Sequence, residues 1–355
     1  MKKIAPFLCL LLLLQLLSGC HFSPPVAIFR NWETDSFSQA AHTQMLSQAE
    51  EAKIHFDEYF ANGDISLQLQ QIQAASASRY KLLMVELAEP GNTEAAAQIL
   101  EAAGTTPVLF YRSSIGDDGS EITLLDAHPT AGFLGFSPRE GGIIQGRMIG
   151  QYVLENYESI DRNGDGVITY TLLRGDAESP ESEERSRLAV EEADVILTDA
   201  GKIALSFFDP QNPEKYQLAD WSADAAEAIM AENLTHYTAA KGNLIELVIC
   251  SDDTMAAGAV AALQAQGYNL PRGGSIPVFG FGSTEDAQAL IAEGALAGTV
   301  SADAESLGDA LFTVMETVCG KHTIPHAIAA LSTDDRFFLT ADSLAKVYLI
   351  YSPIS

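Results

Sequence analysis

Apolar and polar positions follow two different rhythms along this chain. Short, nearly continuous apolar runs are separated by longer stretches in which apolar residues recur with helical spacing. The first series of predicted strands lies at 26–29, 81–86, 107–111 and 132–136, with predicted helices at 36–52 and 93–103 between them. Runs that are apolar throughout are typical of strands covered on both faces, so the pattern predicts a parallel sheet.

A second series of the same kind follows. Its predicted strands lie at 169–174, 203–207, 247–250, 277–281 and 297–300, and its predicted helices at 183–193, 223–234, 255–265 and 285–293. Strand and helix alternation predicts an α/β fold, and 355 residues exceed what one hydrophobic core organises. We expect two doubly wound parallel-sheet lobes joined by a multi-strand hinge, with a ligand crevice at the carboxyl ends of the strands. The expected boundaries are 26–132 with 303–333 for the first lobe and 133–302 with 334–355 for the second.

The first twenty residues have the pattern of an export signal. Lys2 and Lys3 precede an apolar run at 4–17, which is too short to span a bilayer as a mature helix. The run ends in LSGC at 17–20, which resembles the lipobox of bacterial lipoproteins. We therefore expect a signal peptide at 1–19, lipidation of Cys20 and a short tether up to residue 25. Such a protein is extracytoplasmic and meets the cell membrane or outer membrane only through its lipid anchor.

Charge and cysteine content narrow the choice of partners. The formal net charge is -28, and a field of that sign repels nucleic acid and anionic lipid headgroups. After Cys20 the chain has only Cys250 and Cys319, which lie far apart and lack the spacing of a metal site. We interpret both as buried hydrophobic residues, and a disulfide between them is the alternative. Neither nucleic acid nor a cysteine-bound metal is expected, and the protein is expected to be a monomer.

One segment has the spacing of a calcium loop. Residues 161–169, DRNGDGVIT, match the first nine positions of an EF-hand loop, in which oxygen ligands recur at alternate positions. The expected ligands are the side-chain oxygens of Asp161, Asn163 and Asp165, the backbone carbonyl of Val167, and the hydroxyl of Thr169 directly or through a water. Such a site would stiffen its lobe and take no part in chemistry.

The loop departs from an EF-hand at its twelfth position. An EF-hand needs a bidentate Glu there, and this chain has Leu172. Because 169–174 is predicted as a strand, a neighbouring strand could supply the carboxylate, and Glu246 just before 247–250 is the candidate. The alternative is an Asp- and Gly-rich surface turn without metal.

Six motifs occur in one order along the chain. They are GIIQG at 142–146, the calcium loop, LLRG at 172–175, DTMAAGAV at 253–260, IPVFG at 276–280 and GALAGTV at 294–300. Together they resemble the periplasmic galactose/glucose-binding proteins, the type I substrate-binding proteins of ABC sugar importers. The resemblance spans nearly all of the chain after the signal. It implies a sugar ligand, an ABC permease as partner, and a bound Ca²⁺ completed by a strand Glu, a position that Glu246 matches.

Proteins of this family hold a sugar between two aromatic rings, within a belt of charged and amide groups. Rings stack on the apolar C–H faces of a sugar, and the hydroxyls need polar partners. The resemblance assigns Phe37 and Trp221 as the two rings and Arg185 as the cationic donor. The alternatives are core packing for Phe37, packing at a helix start for Trp221, and a solvated charge beside Glu181 and Glu184 for Arg185.

Several positions differ from the pattern of the family. The substituted positions are Arg112 for an amide, Ser179 for a His, Glu181 for an Asp, Asp252 for an Asn, Gly282 for a carboxylate and Ala302 for an amide. Each polar partner that a buried sugar hydroxyl loses costs about 1–3 kcal/mol. We therefore expect a larger, substituted or anionic sugar, or another polyol. Its donors would be Arg112 and Arg185, and its acceptors Asp35, Glu181 and Asp252.

Other protein classes fit the sequence less well. The chain has no nucleophile elbow, phosphate-binding Gly-rich loop or His-Glu-x-x-His motif, so no enzyme is expected. A repressor with this fold would need an N-terminal helix-turn-helix where this chain has its signal. A subunit that presents its closed form to a membrane receptor or kinase remains the alternative to transport.

Overall fold

The computed structural model describes residues 25–31, 36–116, 118–177, 179–237, 244–339 and 345–355. In chain order, the strands are β1 (Val26–Arg30), β2 (Phe56–Phe60), β3 (Leu82–Val85), β4 (Val108–Arg112), β5 (Ala131–Phe136), β6 (Thr169–Arg174), β7 (Ser206–Phe207), β8 (Gln217–Leu218), β9 (Leu247–Cys250), β10 (Val278–Phe279), β11 (Thr299–Ser301), β12 (Phe337–Leu339), β13 (Lys346–Leu349) and β14 (Ser352–Ile354). Most of them lie in two sheets, one in each lobe.

Helices connect the strands. In chain order, they are α1 (Ser36–Glu51), α2 (Ile65–Ser76), α3 (Thr93–Ala103), α4 (Asp118–Ala127), α5 (Pro138–Glu155), α6 (Tyr157–Ile160), α7 (Pro180–Asp199), α8 (Ala223–His236), α9 (Asp253–Ala265), α10 (Glu285–Ala292), α11 (Ala304–Cys319) and α12 (Ile324–Leu331). Within the described ranges, no helix has the length and hydrophobicity needed to cross a bilayer. The predicted α/β class with parallel sheets is confirmed.

The first lobe is built on a seven-stranded sheet with the order β12-β13-β5-β4-β3-β1-β2. Its strand pairs are parallel apart from β12 with β13. Alternate residues of β1 enter two different cores: Val26 packs in the same core as Met45 of α1, and Phe29 in the same core as Ile72 of α2. The sheet is therefore covered on both faces, as its continuous apolar strands predict.

The second lobe contains a smaller sheet with the order β10-β9-β6-β7. Strand β8 also pairs with β6, nearer the carboxyl end of β6 than β7 does. The antiparallel pair β11–β14 continues this sheet, because isolated bridges join Phe279 to Gly298 and Gly282 to Ser301. Predicted strand 203–207 is shorter in the structure, where only Ser206–Phe207 pairs. The three chain crossings between the lobes follow β5, β11 and β13.

The predicted lobe boundary at 334 is wrong for two strands. Residues 334–355 were assigned to the second lobe, but β12 and β13 belong to the first sheet, and only β14 pairs in the second lobe. The predicted boundary at 132 also divides β5, which continues to Phe136. Strand β13 belongs to the first lobe because all four of its residues are buried and pair in parallel with β5.

Helices α5 and α7 of the second lobe pack closely through glycines. A Cβ atom on Gly142 would lie 2.6 Å from the carbonyl oxygen of Arg185, and one on Gly146 would lie 2.6 Å from that of Ala189. Larger residues at these positions would separate the helices. The close packing fixes the position of α7, which carries Glu181 and Arg185.

A buried ion pair lies next to the hinge in the first lobe. Lys346 of β13 contacts the carboxylate of Glu121 in α4, and both side chains are almost fully buried. The other oxygen of Glu121 accepts the backbone N–H of Ile115 at 2.8 Å. The pair therefore ties a hinge strand to the loop that follows β4.

We expect Lys346→Met to lower the free energy of unfolding by about 3 kcal/mol, because it leaves the carboxylate of Glu121 buried without its cation. Urea denaturation followed by circular dichroism measures this change. The matched control is Arg187→Met, which breaks an exposed pair with Glu191 and should cost less than about 1 kcal/mol. Equal losses in the two variants would contradict the structural role of the buried pair.

Candidate functional site

Most of the predicted ligand-binding residues lie where strands end. Arg112 is the last residue of β4, Trp221 follows β8, and Asp252 follows β9. Glu181 and Arg185 lie in the first two turns of α7, directly after β6. Parallel strands bring their carboxyl ends to one edge of a sheet, so both lobes present these side chains toward the crevice between them. Asp35 and Cys20 lie outside the described residues.

Arg112 is held by a carboxylate that the sequence analysis missed. Its Nη1 donates to Glu86 Oε1 at 2.6 Å, and Glu86 is fully buried at the end of β3. Glu86 also accepts from Ser38 Oγ and from the backbone N–H of Asn31, each at 3.2 Å. A Glu directly after a buried apolar strand was the available signal. Because Glu86 balances its charge, Arg112 is not the free cation that an anionic ligand would need.

Arg185 has an unsatisfied donor. Its Nη2 donates to the backbone carbonyl of Ser251 at 2.9 Å, and its guanidinium carbon lies 4.1 Å from the centre of the Phe281 ring. Its Nε is buried and has no hydrogen-bond partner in the described part of the chain. A buried N–H without an acceptor costs about 1–3 kcal/mol, and a ligand oxygen would remove that cost.

Four aromatic rings run between the lobes, and we call them the aromatic arc: Phe37, Phe136, Tyr351 and Phe281. The centre of the Phe136 ring lies 5.8 Å from that of Phe37 and 5.0 Å from that of Tyr351, and the Tyr351 ring lies 5.2 Å from that of Phe281. A guanidinium lies at each end of the arc. The guanidinium carbon of Arg112 is 5.8 Å from the centre of the Phe37 ring, and that of Arg185 lies over the Phe281 ring. The sequence predicted only Phe37 among these rings, since the others occur in no polar motif.

Glu181 forms a direct hydrogen bond between the lobes. Its Oε1 accepts the backbone N–H of Ser114, in the loop after β4, at 2.8 Å. The neighbouring Pro180 lies beside the first lobe as well, since a Cβ on Gly91 would be 3.6 Å from its ring. Glu181 is one methylene longer than the Asp that the resemblance expects, and it contacts the opposite lobe. The structure thus has the two lobes in contact.

Trp221 is 41% exposed and lies against the backbone at the end of β6. A Cβ on Gly175 would lie 2.1 Å from the indole ring, so only glycine allows this position. Both Asp220 and Trp221 have positive φ, at 48° and 56°, which shows that the turn is constrained. The Trp221 ring is therefore held on the second lobe at the rim of the crevice.

The two adjacent Asp residues after β9 have different surroundings. Asp252 caps α9 by accepting the backbone N–H of Met255 at 2.8 Å. Burial raises the pKa of its carboxyl, and this effect outweighs the lowering of the pKa by that hydrogen bond and by the charge of Arg185. Asp253 accepts from Thr299 Oγ1 at 2.6 Å and from the backbone N–H of Thr284 at 2.7 Å. Asp253 therefore ties β9, β10 and β11 together, whereas the Asp252 carboxyl lies within electrostatic reach of Arg185.

A cavity of about 500 Å³ opens between α4 and the start of α7. Its lining residues are Ser114, Gly116, Gly119, Glu121, Pro138, Pro180, Glu181, Glu183, Glu184, Arg187 and Tyr348. Its volume lies in the range of small-molecule sites. Of the predicted ligand contacts only Glu181 lines this cavity, and the rings of the aromatic arc do not. The acidic wall therefore does not decide the charge of a ligand held at the arc.

The predicted calcium loop has an ordered backbone network. Asp161 accepts the N–H groups of Gly164 and Gly166 at 2.8 and 2.9 Å. Asp165 accepts that of Val167 at 2.8 Å, and Asn163 accepts that of Asp165 at 3.0 Å. Carboxylate oxygens have more than one lone pair, so these bonds still allow coordination.

Glu246 lies against this loop, as the sequence analysis expected of the missing carboxylate. It is fully buried, and its two oxygens accept the N–H groups of Arg162 at 2.8 Å and Thr169 at 3.1 Å. Leu172, at the twelfth position, is buried in β6. Across the described ranges, no three His, Cys, Asp or Glu side chains are grouped as metal ligands. The loop instead offers a mixed set of carboxylate, amide, hydroxyl and carbonyl oxygens, the donor types that Ca²⁺ takes.

The cysteines of the second half of the chain are both free thiols. Cys250 is fully buried in β9, as expected, and burial raises the pKa of its thiol. Cys319 ends α11 and is half-buried, and it packs against the core from its edge, so the interpretation holds for it only in part.

Comparison with known proteins places the chain in a family. A family model described as "Periplasmic binding protein domain" matches residues 26–322. A D-galactose/methyl-galactoside binding periplasmic protein from Haemophilus influenzae is 30% identical over 250 residues. That alignment covers 69% of this chain and 66% of the relative, just under two thirds of its length.

Solved structures with the same fold have low sequence identity. The myo-inositol binding protein of Caulobacter, bound to myo-inositol, has a TM-score of 0.65 at 19% identity, with 93% of this chain and 92% of that chain covered. An ABC transporter periplasmic solute binding protein from Actinobacillus succinogenes 130z, with bound D-allose, has a TM-score of 0.65 at 16% identity, with 94% and 98% covered. The sequence match over 26–322 and the shared fold give one conclusion: this chain belongs to the family of periplasmic binding proteins.

Proposed function

We propose that this protein is an extracytoplasmic lipoprotein that captures a sugar or sugar-like polyol between its lobes for an ABC importer. The observation that carries the proposal is the aromatic arc with Arg185 at one end. Rings bind the apolar face of a sugar, and the buried Nε of Arg185 needs an oxygen acceptor. A polyol supplies both the apolar face and the oxygen.

The relatives support this ligand class. The protein from Haemophilus influenzae is named for D-galactose and methyl-galactoside, and the two structural neighbours hold myo-inositol and D-allose. Each of these molecules is neutral and has a ring of hydroxyl groups. The pairing of Arg112 with Glu86 favours a neutral polyol over an anionic one for this chain as well.

We further propose that the carboxylates of Asp161, Asp165 and Glu246, with Asn163, Val167 and Thr169, hold a structural Ca²⁺. When bound, the ion would offset the mutual repulsion of these carboxylates and stabilise the second lobe. The placement of Glu246 at the loop supports this proposal.

The lipid anchor at Cys20 and an ABC permease as partner complete the proposal. Cys20 follows a signal-like segment, and a tether after it would leave both lobes free to close. A sensing subunit would use the same closed form, and the two roles differ in the membrane protein that the closed form contacts.

A thermal-shift screen tests the ligand class. At a concentration one hundred times its Kd, a polyol that binds only the folded protein adds about 2.7 kcal/mol of stability, so we expect Tm to rise by several degrees with at least one of D-galactose, myo-inositol and D-allose. Galacturonate and glucose 6-phosphate serve as anionic controls and should give no rise. A rise with the anionic sugars alone would overturn the neutral class.

Glu181→Ala tests the contact between the lobes. It removes a hydrogen bond to a charged acceptor, worth about 1.5–3 kcal/mol, and should shift the ligand-free protein toward its open form by about tenfold or more. Small-angle X-ray scattering should then show a larger radius of gyration. The matched control is Glu183→Ala, which removes the same charge from the same helical turn and should leave the radius unchanged. Equal radii in both variants would contradict the role of Glu181.

Calcium removal tests the metal proposal. Wild-type protein should melt several degrees lower in EGTA than in millimolar CaCl₂, and Asp161→Asn should abolish the difference because it removes a ligand charge. The control Asp199→Asn changes an exposed carboxylate at the end of α7 and should keep the full difference. A wild-type Tm that is the same in both buffers would contradict a structural Ca²⁺.

A further inference from the structure

Tyr351 lies where the chain crosses between the lobes for the third time, between β13 of the first sheet and β14 of the second. Only 7% of its surface is exposed. Its ring is the one member of the aromatic arc that contacts rings of both lobes, Phe136 and Phe281. A Cβ on Gly141 of α5 would lie 3.1 Å from its ring, so the position is enclosed on a third side.

The hydroxyl of Tyr351 has no hydrogen-bond partner in the described parts of the chain. Buried tyrosine hydroxyls usually have one. Tyr111, for example, bonds to His42 Nε2 at 2.8 Å, and Tyr157 donates to the backbone carbonyl of Gly166 at 2.7 Å. The Tyr351 oxygen keeps a small accessible surface, although the residue as a whole is only 7% exposed. A solute could therefore reach it.

The charges near that oxygen belong to residues of both lobes. Burial raises the pKa of Tyr351, the charges of Arg185 and Arg112 lower it, and that of Glu181 raises it. These three groups are the predicted ligand contacts of both lobes. The hydroxyl is therefore within electrostatic reach of candidate ligand contacts on both lobes.

Two truncated positions flank Tyr351. In the β11–β14 pair Ser301 lies opposite Ser352, and continuing this register by one residue sets Ala302 opposite Tyr351. Gly282 forms a bridge with Ser301 on the other side. The resemblance expects an amide and a carboxylate at 302 and 282, so two polar side chains are missing from this corner. The phenol of Tyr351 brings a hydroxyl to it.

We propose that the Tyr351 hydroxyl binds the ligand, and that it acts together with Arg185 Nε on adjacent oxygens of a neutral polyol. Phe281 lies between the two groups, 4.1 Å from the guanidinium and 5.2 Å from the Tyr351 ring, and its face suits the apolar side of the same ligand. A phenol both donates and accepts a hydrogen bond, whereas a carboxylate only accepts. The corner can therefore both donate to and accept from a ligand hydroxyl.

This inference rests on the proposed function, and Tyr351→Phe tests it, because that variant removes one oxygen and keeps the ring contacts. Isothermal titration with D-galactose, myo-inositol and D-allose should show a Kd weaker by about 5- to 50-fold for every probe that wild-type protein binds. The ligand-free Tm of the variant should match wild type, which shows that the fold is intact. Tyr152→Phe, a half-buried tyrosine that contacts Phe279 in the second lobe, is the control and should bind like wild type.

Deoxy analogues of the tightest of these probes provide a second readout. The analogue that lacks the contacted hydroxyl should bind wild type more weakly, yet it should bind Tyr351→Phe as well as the parent sugar does. A purely structural role would weaken all analogues alike and would overturn the inference. So would equal affinities of wild type and Tyr351→Phe, which leave the proposed function standing. Failure of wild type to bind any of the three probes would overturn both.

Discussion

The central parallel strands must bury both faces and pair along both edges, and this constraint organises the molecule. Each sheet of the protein needs helices on its two sides, so most of its parallel strands are followed by a crossover helix. The loops at the carboxyl ends are then the places where polar side chains can gather without breaking a core. Arg112, Asp252 and Glu181 all follow from this constraint, because each lies at or just after the end of a strand.

The charges at the crevice are held by other charges deeper in the fold. The fully buried Glu86 forms an ion pair with Arg112 and so fixes its position. Glu121, paired with Lys346, accepts the backbone N–H of Ile115 and so fixes the loop that carries Ser114. These buried pairs fix the positions of their side chains more than they add net stability, since desolvation offsets most of their attraction. The result is a crevice whose first-lobe wall has its cations already compensated. Arg185 on the second lobe differs, because one of its donors lacks an acceptor.

The hinge is part of the site as well as the connection between the lobes. Tyr351 belongs to a crossing segment, and its ring contacts one aromatic residue from each lobe. A ligand bound there would touch both lobes and the hinge at once. Lobe closure and ligand binding would then be coupled through the same side chain, without a separate relay.

Local pattern alone determined much of this protein. Three features lie within short windows of the sequence: the apolar runs at β3, β4 and β9, the calcium-loop spacing and the order of the six motifs. The α/β class and the family could therefore be predicted.

Prediction from the sequence failed where the role of a residue depends on a distant partner. β13 contains Lys346, which reads as polar until Glu121 is placed against it, and β2 is a half-exposed edge strand. Helix α5 is rich in glycine, which disfavours an isolated helix but allows the close approach of α7. Only the tertiary structure decided that Glu181 bonds to Ser114 and that Tyr351 joins the aromatic arc, because both contacts unite residues far apart in the chain.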